Sequence, residues 1–297
     1  MKHALLITAY KDFDQLHTLI DQFDSDFNIY VHIDGKSKIS DKQLQGFRQK
    51  ENVRIAEAPM KVNWGGFNHL QSYLSLSKIA LNNPENTLFH LITGQDFPIK
   101  NKKSFDELLE KNKSKEICYL DYEKMPAMKL WHLDGGMGRF HYYSFYDWFD
   151  AKTKTGEKIH ALIRKIQLLI RVKRKINLKE ELYGGSTYWT LPRKALKYVI
   201  DFEASNPKFH QRFRYTFCPE EMYFQTILMD SPFVDTIVND NLRYIDWENG
   251  KGGGPAVLGH SDLKILEESN SLFARKIDSQ EIINHLIESN KIKEKKD

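Results

Sequence analysis

Residues 3–34 read HALLITAYKDFDQLHTLIDQFDSDFNIYVHID, and the architecture can be built outward from them. Two β-rich apolar runs, 3–10 and 27–34, flank a stretch at 15–23 in which Leu16, Leu19 and Ile20 recur at helical spacing. Strand, helix, strand in that order predicts a parallel crossover whose sheet is covered on both faces. The alternation continues through strand candidates at 52–58, 89–96 and 116–121. A helix over 67–81 places Leu70, Tyr73, Leu74, Leu76 and Ile79 on one side. The expected fold class is therefore α/β, a mainly parallel sheet flanked by helices. Such sheets bind ligands at the carboxyl ends of their strands. His32 and Asp34, then Gln95 and Asp96, occupy those ends.

Composition narrows the function classes. The 297 residues, 41% hydrophobic and 28% charged, describe a globular chain with enough length for a sizeable core. A net charge of +4 lacks the basic bias of a nucleic-acid-binding protein. Two cysteines, Cys118 and Cys218, cannot build a disulfide framework and fit a reducing compartment. The apolar run of the N-terminus is too short for a signal peptide or a membrane span, so the expectation is a soluble, cytoplasmic protein.

Beyond residue 121 the pattern changes. Residues 122–156 are aromatic, with WHLDGGMGRFHYYSFYDWF at 131–149. They read either as a packed surface subdomain or as faces for a sugar ring beside donors such as Arg139 and His141. Residues 157–182 predict one basic amphipathic helix, with Ile159, Leu162, Ile163, Ile166, Leu169 and Ile170 along one side. An ordinary solvated helix is the plain reading; attachment to anionic lipid is the sharper one. A strand at 186–191, helices from Arg193 and from near Pro219, a strand at 242–247 and a glycine loop at 250–254 follow. The charged end from Asn290 is expected to fray.

Common chemistries find little support in motifs. GKGGGP at 250–255 is not a Walker A sequence, and the first strand–helix turn has no glycine for a dinucleotide fingerprint. Lys251 in that loop remains a candidate anion contact. His32-x-Asp34 is too small a metal set, and Asp12-Phe-Asp14 and Asp24-Ser-Asp26 do not follow a mid-chain strand. Gly184-Gly185-Ser186 leads into a strand, unlike a nucleophile elbow. Glu220-Glu221 follows Pro219, which reads either as helix-dipole complementation or as a general base at the sheet rim.

Seven segments in order then give a specific resemblance. They are VHIDGKS (31–37), WGGFNHLQSYLSL (64–76), FHLITGQDFPI (89–99), GGSTYWTLPR (184–193), CPEEMYFQTIL (218–228), LRYIDW (242–247) and LFARKID (272–278). Together they resemble the core-2/I-branching glycosyltransferases, a family of β-1,6-N-acetylglucosaminyltransferases and peptide O-xylosyltransferases. The resemblance implies a GT-A-type fold in one domain over 1–297. Within it, 1–121 would be the Rossmann-like nucleotide-binding half, 122–182 an inserted aromatic and basic segment, and 183–297 the acceptor and catalytic half.

The resemblance also assigns roles. Glu221 falls on the catalytic base of an inverting transfer that needs no divalent metal and no other cofactor beyond the UDP-sugar co-substrate. Lys276 falls on a diphosphate-binding lysine, Arg275 is a second candidate cation, and Lys251 is the nearest stand-in for a family cation whose aligned place is the 252–254 run. His32, Asp34, Lys36, Trp64, Gly65 and Asp96 would serve the nucleotide and donor. Ser186, Trp189, Glu220 and Trp247 would line the acceptor side, with Arg139 added from the aromatic segment.

The eukaryotic members carry an anchor and disulfides, so this chain resembles a bacterial, cytoplasmic relative. It would act in cell-surface polysaccharide synthesis on a glycan or lipid-linked glycan, with contact to an anionic membrane. The expected donor sugar is N-acetylglucosamine. The alternatives are xylose and, from another class, a non-catalytic glycan-binding module. A hydrolase is disfavoured, because adjacent helical carboxylates point about 100° apart and cannot flank one bond.

Overall fold

A computed structural model describes residues 2–127, 131, 134–175, 178–250 and 254–294. In chain order the first part runs β1 (Lys2–Ala9), α1 (Phe13–Ile20), β2 (Phe27–Ile33), α2 (Asp41–Arg48), β3 (Val53–Glu57), α3 (Phe67–Leu81), β4 (Asn86–Thr93), β5 (Phe97–Pro98), α4 (Lys102–Lys115) and β6 (Cys118–Leu120). The aromatic segment contributes β7 (Glu123–Lys124), α5 (Gly138–His141) and α6 (Lys154–Leu169). The last part holds β8 (Tyr183–Gly184), β9 (Trp189–Pro192), α7 (Arg193–Ser205), α8 (Pro207–Phe213) and α9 (Tyr223–Met229). It ends with β10 (Ile237–Val238), β11 (Arg243–Ile245), α10 (Leu263–Glu268), β12 (Phe273–Arg275) and α11 (Gln280–Glu294).

Among the described residues, seven strands form the central sheet in the order β10-β6-β9-β4-β1-β2-β3. β4, β1, β2 and β3 are parallel neighbours, and β9 runs antiparallel to both β4 and β6. Side chains alternate across a strand, so β1 feeds two cores. Leu5, Ile7 and Ala9 join Leu16, Leu19 and Ile20 of α1, Phe105 of α4 and Ile282, Ile283 and Leu286 of α11. Ala4 and Leu6 join Leu70, Tyr73 and Leu74 of α3, Leu196 and Val199 of α7 and Phe224 and Ile227 of α9. Burial on both faces is why these strands read as unbroken apolar runs. A smaller sheet, β11-β12-β5, carries the C-terminal chain back beside the end of β4.

Three expectations are corrected. The basic helix is α6 alone, ending at Leu169, after which Arg171 turns left-handed (φ 54°) and the chain to 175 is irregular. The acids Glu220 and Glu221 are not in a helix's first turn: Pro219–Glu221 is a separate 3-10 turn, broken from α9 at Met222. Helices α2 and α4 lack a strong apolar stripe and had no counterpart in the pattern; α2 is held at its start by a Ser40–Gln43 capping box.

Candidate active site

The Pro219–Glu221 turn is pinned on two sides. Cys218, left-handed at φ 47°, donates its N–H to the Gly65 carbonyl at 3.0 Å, and Gly185 donates to the Glu221 carbonyl at 2.9 Å. Gly65 has φ +78°, and a Cβ there would lie 2.5 Å from the Phe217 ring. A side chain at Gly185 would strike the Asp121 carbonyl. The two glycine motifs thus let neighbouring backbones close on the acidic turn. The start of α3 is capped from a distance, since the Asp147 carboxylate accepts N–H bonds from Phe67 and Asn68.

This turn borders a cleft of about 510 Å³ at the carboxyl ends of β1, β2 and β4. Of the expected residues, His32, Asp34, Lys36, Trp64, Ser186, Glu220, Glu221, Trp247 and Arg275 line it. Trp64 and Trp247 stand about half exposed at 48% and 47%. A second cavity of similar volume, between α3, the 144–148 loop and α8, contains none of the expected residues.

At the acidic turn, the Glu221 side chain is 26% exposed and its Oε2 accepts from Arg139 at 2.5 Å. Burial pushes the Glu221 carboxyl above its ordinary range, and the Arg139 charge opposes that rise. Arg139 is itself stacked 3.5 Å from the centre of the Trp131 ring. It pairs with Glu221 and does not itself line the cleft. Glu220 is buried; its Oε1 meets His69 Nδ1 at 2.9 Å, and His69 Nε2 meets the Tyr73 hydroxyl at 2.9 Å. Among the described residues, Cys218, Glu220 and Glu221 are the one trio of metal-type donors within 4.8 Å. Glu221 Oε2 is taken by Arg139 and Glu220 Oε1 by His69, while Glu220 Oε2 is buried with no hydrogen-bond partner among the described residues.

At the strand ends, Asp34 Oδ1 accepts N–H bonds from Lys36 and Val62, and its Oδ2 lies 3.9 Å from Lys36 Nζ. Lys36 Nζ is held by Asn63 at 2.6 Å and Asp150 at 2.7 Å. His32 is kept neutral by burial, which lowers its pKa to about 4. Arg275 donates to the Thr93 hydroxyl at 2.5 Å and to Asp96 Oδ1 at 3.0 Å. Burial opposes its charge, but Tyr188 and Asp96 hold it protonated.

Four further expected residues stand off the cleft lining. Asp96 is fully buried and accepts the Thr93 N–H; it orients Arg275 and touches no cleft space. Trp189 is fully buried and packs 5.1 Å from the Phe224 ring, because the strand alternation that points Tyr188 into the cleft turns Trp189 into the core. Gly65 shapes the turn rather than lining the cleft. Lys276 is half-buried and does not line it either; Lys251 lies outside the described residues.

The motif reading missed Lys152, His69, Tyr73 and Tyr188. Lys152 lines the cleft, with its Nζ 4.6 Å from the centre of the Tyr10 ring. Burial, Lys36 and Lys276 lower its pKa, as expected where several cations share one concave surface. No motif marks it. The histidine of α3 did carry a signal: His69 and Tyr73, four residues apart, fall on one helical face.

The family described as Core-2/I-Branching enzyme matches residues 4–134 and 137–268. Xylosyltransferase 1 of Mus musculus is 27% identical over 256 residues, covering 82% of this chain and 23% of that protein. Xylosyltransferase 2 of Rattus norvegicus is 27% identical over 229 residues, with 75% and 24% covered. The chain therefore spans about a quarter of the length of these curated relatives. Among solved structures, apo mouse xyloside xylosyltransferase 1 aligns over 92% of this chain and 96% of its own, at 10% identity and a TM-score of 0.40. Staphylococcus aureus TarS 1–349 in complex with UDP aligns over 40% and 35%, at 16% identity and 0.30. The mixed sheet with helices on both faces is of the GT-A type. The family match runs through the cleft from His32 to Trp247 and ends before Arg275 and Lys276, and on its extent the chain belongs to the Core-2/I-Branching enzyme family.

Proposed function

We propose that the cleft transfers a sugar from a UDP-sugar to a hydroxyl of a glycan acceptor, with inversion at the anomeric carbon. The observation that carries this reading is one cavity with Glu221 near one end and a set of basic side chains at the strand ends. In the proposed step the Glu221 carboxylate takes the proton of the attacking hydroxyl. The acceptor oxygen bonds to the anomeric carbon while its bond to the β-phosphate oxygen breaks, and the electron pair leaves with UDP. Arg275 and Lys152, which line the cleft, would neutralise the diphosphate as it departs, with Lys276 adding its charge from just off the lining, the work a divalent ion does elsewhere. Asp34 and Lys36 would meet the nucleoside, and Trp64 and Trp247 offer faces for sugar rings.

The resemblance points to N-acetylglucosamine as the transferred sugar. A second reading, xylose, is favoured by the names of the curated relatives. UDP release measured under chelation, with UDP-N-acetylglucosamine and UDP-xylose against a panel of glycan acceptors, separates them. Turnover with one donor supports the proposal and names the sugar. Absence of turnover in EDTA that manganese restores would overturn the metal-independent part. UDP binding with no turnover on any acceptor would favour a glycan-binding module.

A further inference from the structure

Helix α6 is attached to the protein along a polar face. The Gln167 side chain receives the Tyr143 N–H and donates to the Tyr143 carbonyl; His160 stacks on Tyr146 and Arg164 lies over Tyr142. Gly156 and Gln167 are its only buried residues. At 100° per residue, Leu169 and Leu162 lie about 160° and 140° from Gln167 and Ile166 about 100° on the same flank, and all three are exposed, Leu169 to 80%. Lys158 and Lys165 border this stripe on the same outward side. From 154 to 175 the chain has eight basic residues and one acid, Glu157, so the rest of the molecule is net acidic. An amphipathic helix of a soluble domain buries its apolar stripe; this one presents it to solvent, edged by lysines.

We propose that the outward face of α6 docks onto an anionic lipid surface, with Leu162, Ile166 and Leu169 among the acyl chains and Lys158 and Lys165 at the headgroups. Charge selects this occupant over a second copy of the chain, since apposing two such faces would bring two strongly basic strips together. The helix is too short and too polar to cross a bilayer, and no helix among the described residues could. It starts two residues after Lys152, a cleft-lining residue, so its N-terminal end is tied to the cleft wall.

The test is flotation of the full chain, without nucleotide, on phosphatidylglycerol and on phosphatidylcholine vesicles at low salt. This keeps it separate from the proposed transferase activity. Expected is flotation with phosphatidylglycerol alone, weakened by at least about tenfold in the triple variant Leu162→Ser, Ile166→Ser, Leu169→Ser. These side chains are exposed, so the variant should keep the wild-type melting temperature, which is measured alongside. No flotation of the wild type, or flotation that the triple variant retains, overturns the proposal. So does a concentration-dependent dimer that the substitutions abolish without any lipid binding, which would assign the face to a contact between copies.

Discussion

Glu221 faces opposing demands. A general base must be ionised at working pH, yet it sits in a desolvated turn beside a second carboxylate. Arg139 supplies the offset, and its own position is fixed by the Trp131 ring. On the proposed mechanism, Glu221→Gln should lower kcat about 10²–10⁴-fold while UDP affinity, read by calorimetry, stays near wild type. Arg139→Gln should leave a carboxylate that protonates more easily. The acidic limb of the kcat/KM profile should then move to higher pH, because removing the positive charge removes the influence opposing burial. A limb that stays put or moves to lower pH would separate Arg139 from the base. Lys152→Met should weaken UDP about tenfold and leave uridine unchanged, the pattern of a lost phosphate contact. The acidic turn was legible as a motif, whereas Lys152 was not: its role comes from a fold-back that carries the aromatic segment over Tyr10, and sequence spacing holds no trace of that.

Each glycine motif works through the element it releases. The Trp64-Gly65-Gly66 entry to α3 and the Cys218-Pro219-Glu220-Glu221 turn touch through one hydrogen bond and one glycine-to-ring contact. Gly65→Ala would place a methyl group against Phe217 in a backbone conformation that alanine resists. It should cost about 2 kcal/mol or more in urea unfolding, and displacement of the turn should lower kcat as well. A variant with unchanged stability and turnover would mean the ring simply moves aside. Strands β1, β2 and β4 could be read from the sequence because both their faces are buried, so most of their positions are apolar. Helix α4 could not, because its sequence is rich in lysine and glutamate and, among its residues, only Phe105 and Asn112 are buried. The error at Trp189 was one of phase: the strand was expected, but a motif tryptophan does not announce which face of a strand it takes.

Across the whole molecule, the sheet that shapes the cleft is centred on a pair of histidines that burial holds neutral. His3 Nδ1 and His90 Nε2 are 3.0 Å apart in the core, His90 Nδ1 meets the Thr190 hydroxyl, and both residues are fully buried. This pair links β1, β4 and β9, the strands that join the first part of the chain to the last. Burial lowers His3 to about 3 and takes His90 well below its ordinary value. The unfolded chain accepts protons on these rings near pH 6.5, while the folded chain refuses them down to much lower pH. In that window the unfolded state binds more protons, so stability is full above it and falls as pH drops. Between pH 6.5 and 5 each such ring should cost about 2 kcal/mol. Urea unfolding at pH 7 and at pH 5 should therefore show a marked loss, before most surface carboxylates have protonated. His3→Gln removes one titrating group from the unfolded chain and should flatten that dependence by about one proton, whatever it does to stability at pH 7. An unchanged slope would mean that the ring is protonated within the folded sheet. The cleft would then rest on a charged core, not a neutral one.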